Sequence, residues 1–137
     1  MSYISAFNSS EDKKRNLASK ILYISESVIK FFWDDAPRLG IQQREGQQDM
    51  AFDVLDAIKS GSHVVIEAGV GIGKSFAYLV PILLYNAKTF SPVVIATSTI
   101  ALQEQLLSDM ELLKKWLRLD PDLILAKGKN HIFVSKM

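Results

Sequence analysis

A chain of 137 residues with 48% hydrophobic and 23% charged side chains suits one globular domain and excludes a disordered or fibrous chain. Its formal net charge of +1 excludes a protein that finds nucleic acid by bulk electrostatics and leaves only a local basic face for such a partner. It has no cysteine, which excludes a disulfide framework, a thiolate zinc site and any iron–sulfur cluster ligated by these residues.

The opening MSYISAFNSSEDKKRN lacks the basic start, apolar centre and cleavage site of a signal peptide, and no apolar run is long enough to cross a bilayer. The expected location is cytoplasmic, with no membrane partner. From Glu11 to Asp34, apolar residues fall at Leu17, Ile21, Ile24, Val28 and Phe31, a spacing that lines one helical face. Ser9 and Ser10 are its candidate caps, Glu11 and Asp12 its acidic first turn, and Pro37 its expected end. Asp34 and Asp35 read as the end of this helix, because IKFFWDDA keeps the helical period. A connector, APRLGIQQREG, leads to a second helix from about Gly46 to Lys59, with Met50, Val54, Leu55 and Ile58 inward and Gly61 as terminator.

The period then changes. His63–Glu67, Val93–Thr97 and the weaker Leu123–Ala126 read as short strands, separated by helices over about Lys74–Ala87 and Thr99–Leu117. Near-continuous apolar strands alternating with helices predict an α/β fold with a parallel sheet covered on both faces.

Between the first strand and its helix lies EAGVGIGKS, Glu67 to Ser75. A loop that leaves a buried strand and opens a helix points backbone amides and the helix N-terminus at one anion. Gly69, Gly71 and Gly73 permit positive φ and close backbone approach, Lys74 can reach the β and γ phosphates, and the Ser75 hydroxyl can hold magnesium. ATP or GTP with Mg2+ is the expected ligand. The competing reading, a glycine-rich turn with an exposed lysine, ignores the flanking strand and helix.

Two further stretches bear on the partner. In REGQQDM, Arg44, Gln47 and Met50 are spaced by three and share one side of a helix start, and a glutamine amide can both donate to and accept from an adenine edge, favouring ATP. A plain polar helix N-terminus would look the same. In IATSTIALQEQLL, a strand ends in Thr97, Ser98 and Thr99 before a helix bearing Gln103 and Gln105. These groups suit a sugar-phosphate backbone, or they simply cap the helix.

Together and in this order the stretches resemble the first motor domain of DinG/XPD-like superfamily 2 ATP-dependent DNA helicases, over about Arg38 to Val134. R-x-x-Q-x-x-M is similar to their adenine-reading Q motif, EAGVGIGKSFAYLVP to their motif I, and ATSTIALQEQLL to motif Ia. The resemblance implies a P-loop NTPase (RecA-like) domain, incomplete, at residues 38–137, preceded by an N-terminal helical segment at 1–37. It implies ATP held by Arg44, Gln47, Ala68, Gly69, Val70, Gly71, Ile72, Gly73, Lys74 and Ser75, with Mg2+ on Ser75. Thr97, Thr99 and Gln103 would meet single-stranded DNA.

The chain departs from the family pattern in places. Ala68 stands where the strict loop has its first glycine, and Val70 and Ile72 remove hydroxyls but no amides. AKGKNHIFV resembles the approach to the first iron–sulfur cysteine, but Val134 takes that place, so no cluster is expected. Lys127, Lys129 and His131 form a small basic loop.

Hydrolysis also needs an acidic pair after an apolar strand and an arginine finger, and neither is found beyond Ser75, so no catalytic residue is assigned. The expected protein is the ATP-binding portion of a helicase that couples hydrolysis to translocation and unwinding, lacking its second motor domain, truncated and inactive alone. The alternative is a non-enzymatic nucleotide-binding or interaction module using the basic surface around Lys114, Lys115 and Arg118. An unpaired sheet edge and uncovered apolar faces would favour self-association.

Overall fold

The computed structural model describes residues 2–69, 73–126 and 132–135, with side chains described over 10–69 and 73–126. Helix α1 spans Ser2–Lys30, longer than the apolar spacing implies, so Ser9 and Ser10 lie inside it and are not its caps. Ion pairs from Arg15 to Glu11 at 3.9 Å and to Asp12 at 3.4 Å fall at helical spacing on its solvated part. The inward face begins later than expected. Ile24, Val28 and Phe31 are buried, whereas Leu17 is exposed.

Pro37 does not end the helix at the residue before it. The chain widens into a π turn, Phe31–Asp35, and continues as the short helix α2, Ala36–Arg38, with Pro37 in its first turn. The Ala36 N–H donates to the Phe31 carbonyl, the five-residue step of a π turn. The same step would pair Phe32 with residue 37, but proline has no N–H. Gln43 Nε2 supplies the missing donor, reaching the Phe32 carbonyl at 2.9 Å, and so ties the connector to the helix. Asp35 takes both its carboxylate oxygens to Lys30 Nζ, at 2.7 and 2.8 Å, bracing the same turn. Because the wide turn shifts the helical phase, Phe31 and Phe32 both point inward, their rings edge to face at 5.2 Å. Gln43→Ala should therefore cost about 1 kcal/mol of stability, the net worth of one hydrogen bond, measured by urea denaturation.

Helix α3, Gln47–Ser60, runs between two left-handed glycines, Gly46 before it and Gly61 after it. Gly61 is the expected terminator: its N–H and that of Ser62 take up the Ile58 and Ala57 carbonyls. Inward residues are Gln47, Ala51 and Leu55, while Met50 is only half-buried. Helix α4, Lys74–Thr89, is the central element and packs against α1, α3 and, beyond the sheet's first strand, α5, Ile100–Leu117. Ala77, Leu79, Val80, Leu83 and Leu84 of α4 are buried against Leu106, Met110 and Leu113 of α5 and the apolar faces of α1 and α3.

The sheet differs most from expectation. Strands β1, Val93–Ala96, and β2, Leu123–Ala126, form where the sequence places them, but each pairs antiparallel with a third, β3, Ile132–Ser135, in the order β1-β3-β2. Five residues separate β2 from β3, enough for a hairpin and far too few for a parallel crossover of about a dozen. β1 and β2 therefore run parallel to each other with β3 between them, joined through α5. Among the described residues only one face is covered: Ile95 and Leu123 pack on the core, whereas Val94 and Ile124 are exposed.

His63–Glu67 is not a strand. The segment is irregular and open to solvent, with Val65 99% exposed. A β-branched run prefers extended geometry only where a neighbour accepts its backbone bonds, and none of the described strands pairs with it.

Candidate nucleotide-binding site

The loop from Glu67 reaches α4 through Gly73, the helix N-cap, which takes φ +75° and ψ +50°. That left-handed geometry costs a residue with a Cβ about 1–2 kcal/mol. A second constraint is steric, since a Cβ built on Gly73 would collide with the Gln47 side-chain amide. The backbone angle favours glycine here, and a side chain would in addition make the Gln47 amide shift. Gly69 is different: it has no positive φ, and a Cβ there would meet open space. The expectation of left-handed backbone thus holds at Gly73 and not at Gly69, while Val70, Gly71 and Ile72 lie outside the described residues.

Beyond Gly73, the Gly73 carbonyl accepts the Ala77 N–H at 3.3 Å, which starts the helical ladder. The amides of Lys74, Ser75 and Phe76 precede any intrahelical acceptor and face out of the N-terminus, where the helix dipole favours an anion. Lys74 is exposed at this end, and Ser75 is half-buried one residue further on.

Gln47 stands at the start of α3, 3% exposed, and its Nε2 donates to the Gly73 carbonyl at 3.1 Å. The two motifs, 26 residues apart in sequence, thus meet directly. Arg44 does not share the helix with Gln47 as its spacing suggests. It lies in the turn before α3, where its carbonyl accepts the Gln47 N–H at 3.1 Å, because left-handed Gly46 delays the helix start. On the other side of this junction a cleft of about 440 Å³ is lined by Met50, Ala68 and Gly69 and by the carboxylates Glu45, Asp49, Asp53 and Glu67. Those four acids repel a polyphosphate and could accept from an amino-substituted base.

A smaller cavity, about 260 Å³, joins Ser75 and Tyr78 of α4 to Thr97 and Ser98 at the end of β1. Sequence reasoning missed one neighbour here, Asp109 of α5. Burial raises its carboxyl pKa, and the Ser75 hydroxyl, hydrogen-bonded to it, pulls the other way. The Tyr78 phenol is raised by burial and by the Asp109 charge, again with Ser75 opposing. Nothing in the spacing of Asp109 marks it, since its approach to Ser75 depends on how α5 packs on α4.

Thr99 caps α5: its Oγ1 accepts the Leu102 N–H at 3.2 Å, and Thr97 Oγ1 donates to the Thr99 carbonyl at 3.1 Å. Gln103 is 4% exposed, and its buried Nε2 has no hydrogen-bond partner among the described residues. An unpaired buried amide costs about 1–3 kcal/mol, so Gln103→Met should stabilise the fold by about 1 kcal/mol or more in thermal unfolding. Lys114 is engaged with Glu111 and Asp120, each at 3.5 Å. Lys127, Lys129 and His131 lie outside the described residues.

The DEAD/DEAH box helicase family model matches residues 46–132, from the glycine that opens α3 through the phosphate loop to the first residue of β3. The chain belongs to this helicase family. Within it the chain is DinG-like: it is 38% identical to the ATP-dependent helicase DinG of Mycobacterium tuberculosis H37Rv over 83% of its length, which is 18% of that protein. It is 41% identical to the ATP-dependent DNA helicase YoaA of Escherichia coli K12 over 67% of its length, 14% of YoaA. It is also 36% identical to the protein named 3'-5' exonuclease DinG in Bacillus subtilis 168 over 67% of its length, 10% of that relative. The chain therefore spans less than a fifth of the length of these relatives. No solved structure matches it. Family membership indicates a P-loop NTPase fold, and no helix among the described residues is long and apolar enough to cross a membrane.

Proposed function

We propose that this DinG-like chain is the ATP-binding portion of an ATP-dependent DNA helicase, and the observation that carries the reading is the Gln47–Gly73 contact. A base-reading amide held against the last glycine of a phosphate loop puts the base and phosphate ends of one ligand on adjacent elements. In this reading the amides of Lys74 and Ser75 hold the β and γ phosphates with Lys74 Nζ, and Ser75 Oγ takes the magnesium ion, which would shield phosphate charge. Ala68, Gly69, Val70, Gly71, Ile72 and Gly73 complete the proposed nucleotide site. The acid-lined cleft beside Met50 supports seating of the adenine amino group on that side, with Arg44 in the preceding turn.

Single-stranded DNA is the partner of the complete protein. The cavity that links Ser75 to Thr97 and Ser98 supports communication between nucleotide and strand, with Thr99 fixing the helix on that face. Gln103 acts from within the fold, through packing. With no acidic pair after an apolar strand beyond Ser75, the chain itself binds nucleotide without unwinding. Its exposed Val65 and uncovered sheet face support self-association when it is isolated.

Competition with a fluorescent Mg-nucleotide tests this. Mg-ATP should displace the probe better than Mg-GTP, and Gln47→Ala should narrow that preference. Equal displacement by both nucleotides in the parent chain would contradict adenine reading. Strand separation above that of a Lys74→Ala control would contradict the claim that the chain does not unwind DNA alone.

A further inference from the structure

Away from the phosphate loop, the end of α1, α2 and the end of α5 enclose a groove of about 550 Å³. Lys30, Arg38 and Arg118 line it together with the rings of Tyr23 and Trp116. The one acid among its described lining residues, Asp35, is already committed to Lys30. Neither Arg38 nor Arg118 forms an ion pair among the described residues, and both are exposed. The groove therefore carries a positive excess on a chain whose net charge is only +1.

The groove is built from fixed parts. Arg118 caps α5 in left-handed backbone, φ +54°, with its N–H on the Lys114 carbonyl. This is a conformation that a residue with a Cβ adopts at a cost, and the adjoining helix end holds it. Tyr23 is 47% exposed and carries the Lys88 ammonium 3.8 Å from its ring centroid, which adds a further cation at the margin. Trp116 is half-buried and packs on Phe76, 6.0 Å between centroids, in the first turn of α4 next to Ser75.

The geometry points to a second binding site for single-stranded nucleic acid, in which Arg38 and Arg118 hold two backbone phosphates and a base lies against Tyr23 and Trp116. Guanidinium pairs flanking accessible ring surface are the chemistry that grips a strand without reading its sequence. An acidic peptide would use the arginines but would gain nothing from the rings. The Trp116–Phe76 contact places this site one packing step from the phosphate loop. The inference does not depend on nucleotide binding, nor on the Thr97–Thr99 face.

The test is fluorescence anisotropy of a labelled oligo-dT with the full chain, repeated over a range of salt. Binding should be tenfold or more weaker for the Arg38→Gln, Arg118→Gly double variant. Loss of two phosphate contacts should also flatten the slope of log affinity against log salt by about 1.4, at ~0.7 per single-strand phosphate. Arg118→Gly relaxes the left-handed backbone, so weaker binding by that variant is not unfolding. In a Trp33→Phe background, oligo-dT should quench Trp116, whereas poly-glutamate of equal charge should not compete. An unchanged affinity and slope in the double variant, no binding by the parent chain, or equal competition by poly-glutamate would each overturn the proposal. Parallel Mg-ATP titration separates these failures from failure of the nucleotide site, since the Arg38→Gln, Arg118→Gly double variant should bind Mg-ATP as the parent chain does.

Discussion

Gly73→Ala should weaken Mg-ATP binding by at least about tenfold, because two penalties fall on the atoms that shape the phosphate loop. The left-handed backbone costs about 1–2 kcal/mol for alanine, and 1.4 kcal/mol is already a factor of ten. The added methyl group also meets the buried Gln47 amide, which must shift and so disturbs its bond to the Gly73 carbonyl. The two costs are separable. Gln47→Ala in the Gly73→Ala background removes the collision and leaves the backbone strain, so it should recover part of the stability lost by the single variant. A double-mutant cycle by calorimetry should give a coupling of about 0.5–3 kcal/mol, the range for residues in contact. Simple additivity would mean that the Gln47–Gly73 junction is absent in solution.

Lys74→Ala is the second large effect, and it should act on binding while leaving the fold alone. Lys74 is exposed at the first position of α4, and alanine is at least as good a helix former. Thermal unfolding should therefore be nearly unchanged without nucleotide. With Mg-ATP present, the loss of a charged hydrogen bond worth about 1.5–3 kcal/mol should lower affinity about ten- to a hundredfold. The nucleotide-induced rise in melting temperature should shrink with it. A variant that melts early without ligand would instead show that Lys74 supports the helix.

Much of this site was legible in the sequence because its parts are local. Gly61 stops α3 through its own backbone geometry, Thr99 caps α5 from three residues away, and the loop glycines stand directly before the α4 helix. Contacts set by packing were not legible. Gln43 reaches the Phe32 carbonyl because Pro37 lacks an N–H inside a π turn, and neither fact shows in hydrophobic spacing. Asp109 reaches Ser75 only because α5 folds back on α4.

The sheet was misread for a different reason. Strand and helix alternation predicts parallel pairing, but pairing is decided by which strand sits alongside, and the spacing assigns no strand to the IFVS run that forms β3. Its β-branched and aromatic residues after a five-residue connection were the available signal. His63–Glu67 shows the converse. Its composition is that of a strand, yet with no paired neighbour among the described residues it stays in solvent. The placement of Arg44 on the helix differs because of a single residue, left-handed Gly46, which moves the helix start past it.

The most direct test follows backbone amide resonances of isotopically labelled chain during titration with Mg-ATP. Gripping of the triphosphate by main-chain N–H groups requires large, saturable shifts at Gly73, Lys74 and Ser75, with a smaller response of the Gln47 side-chain amide. Saturation elsewhere in the chain with these signals unmoved, or silence throughout at millimolar ligand, would contradict the account.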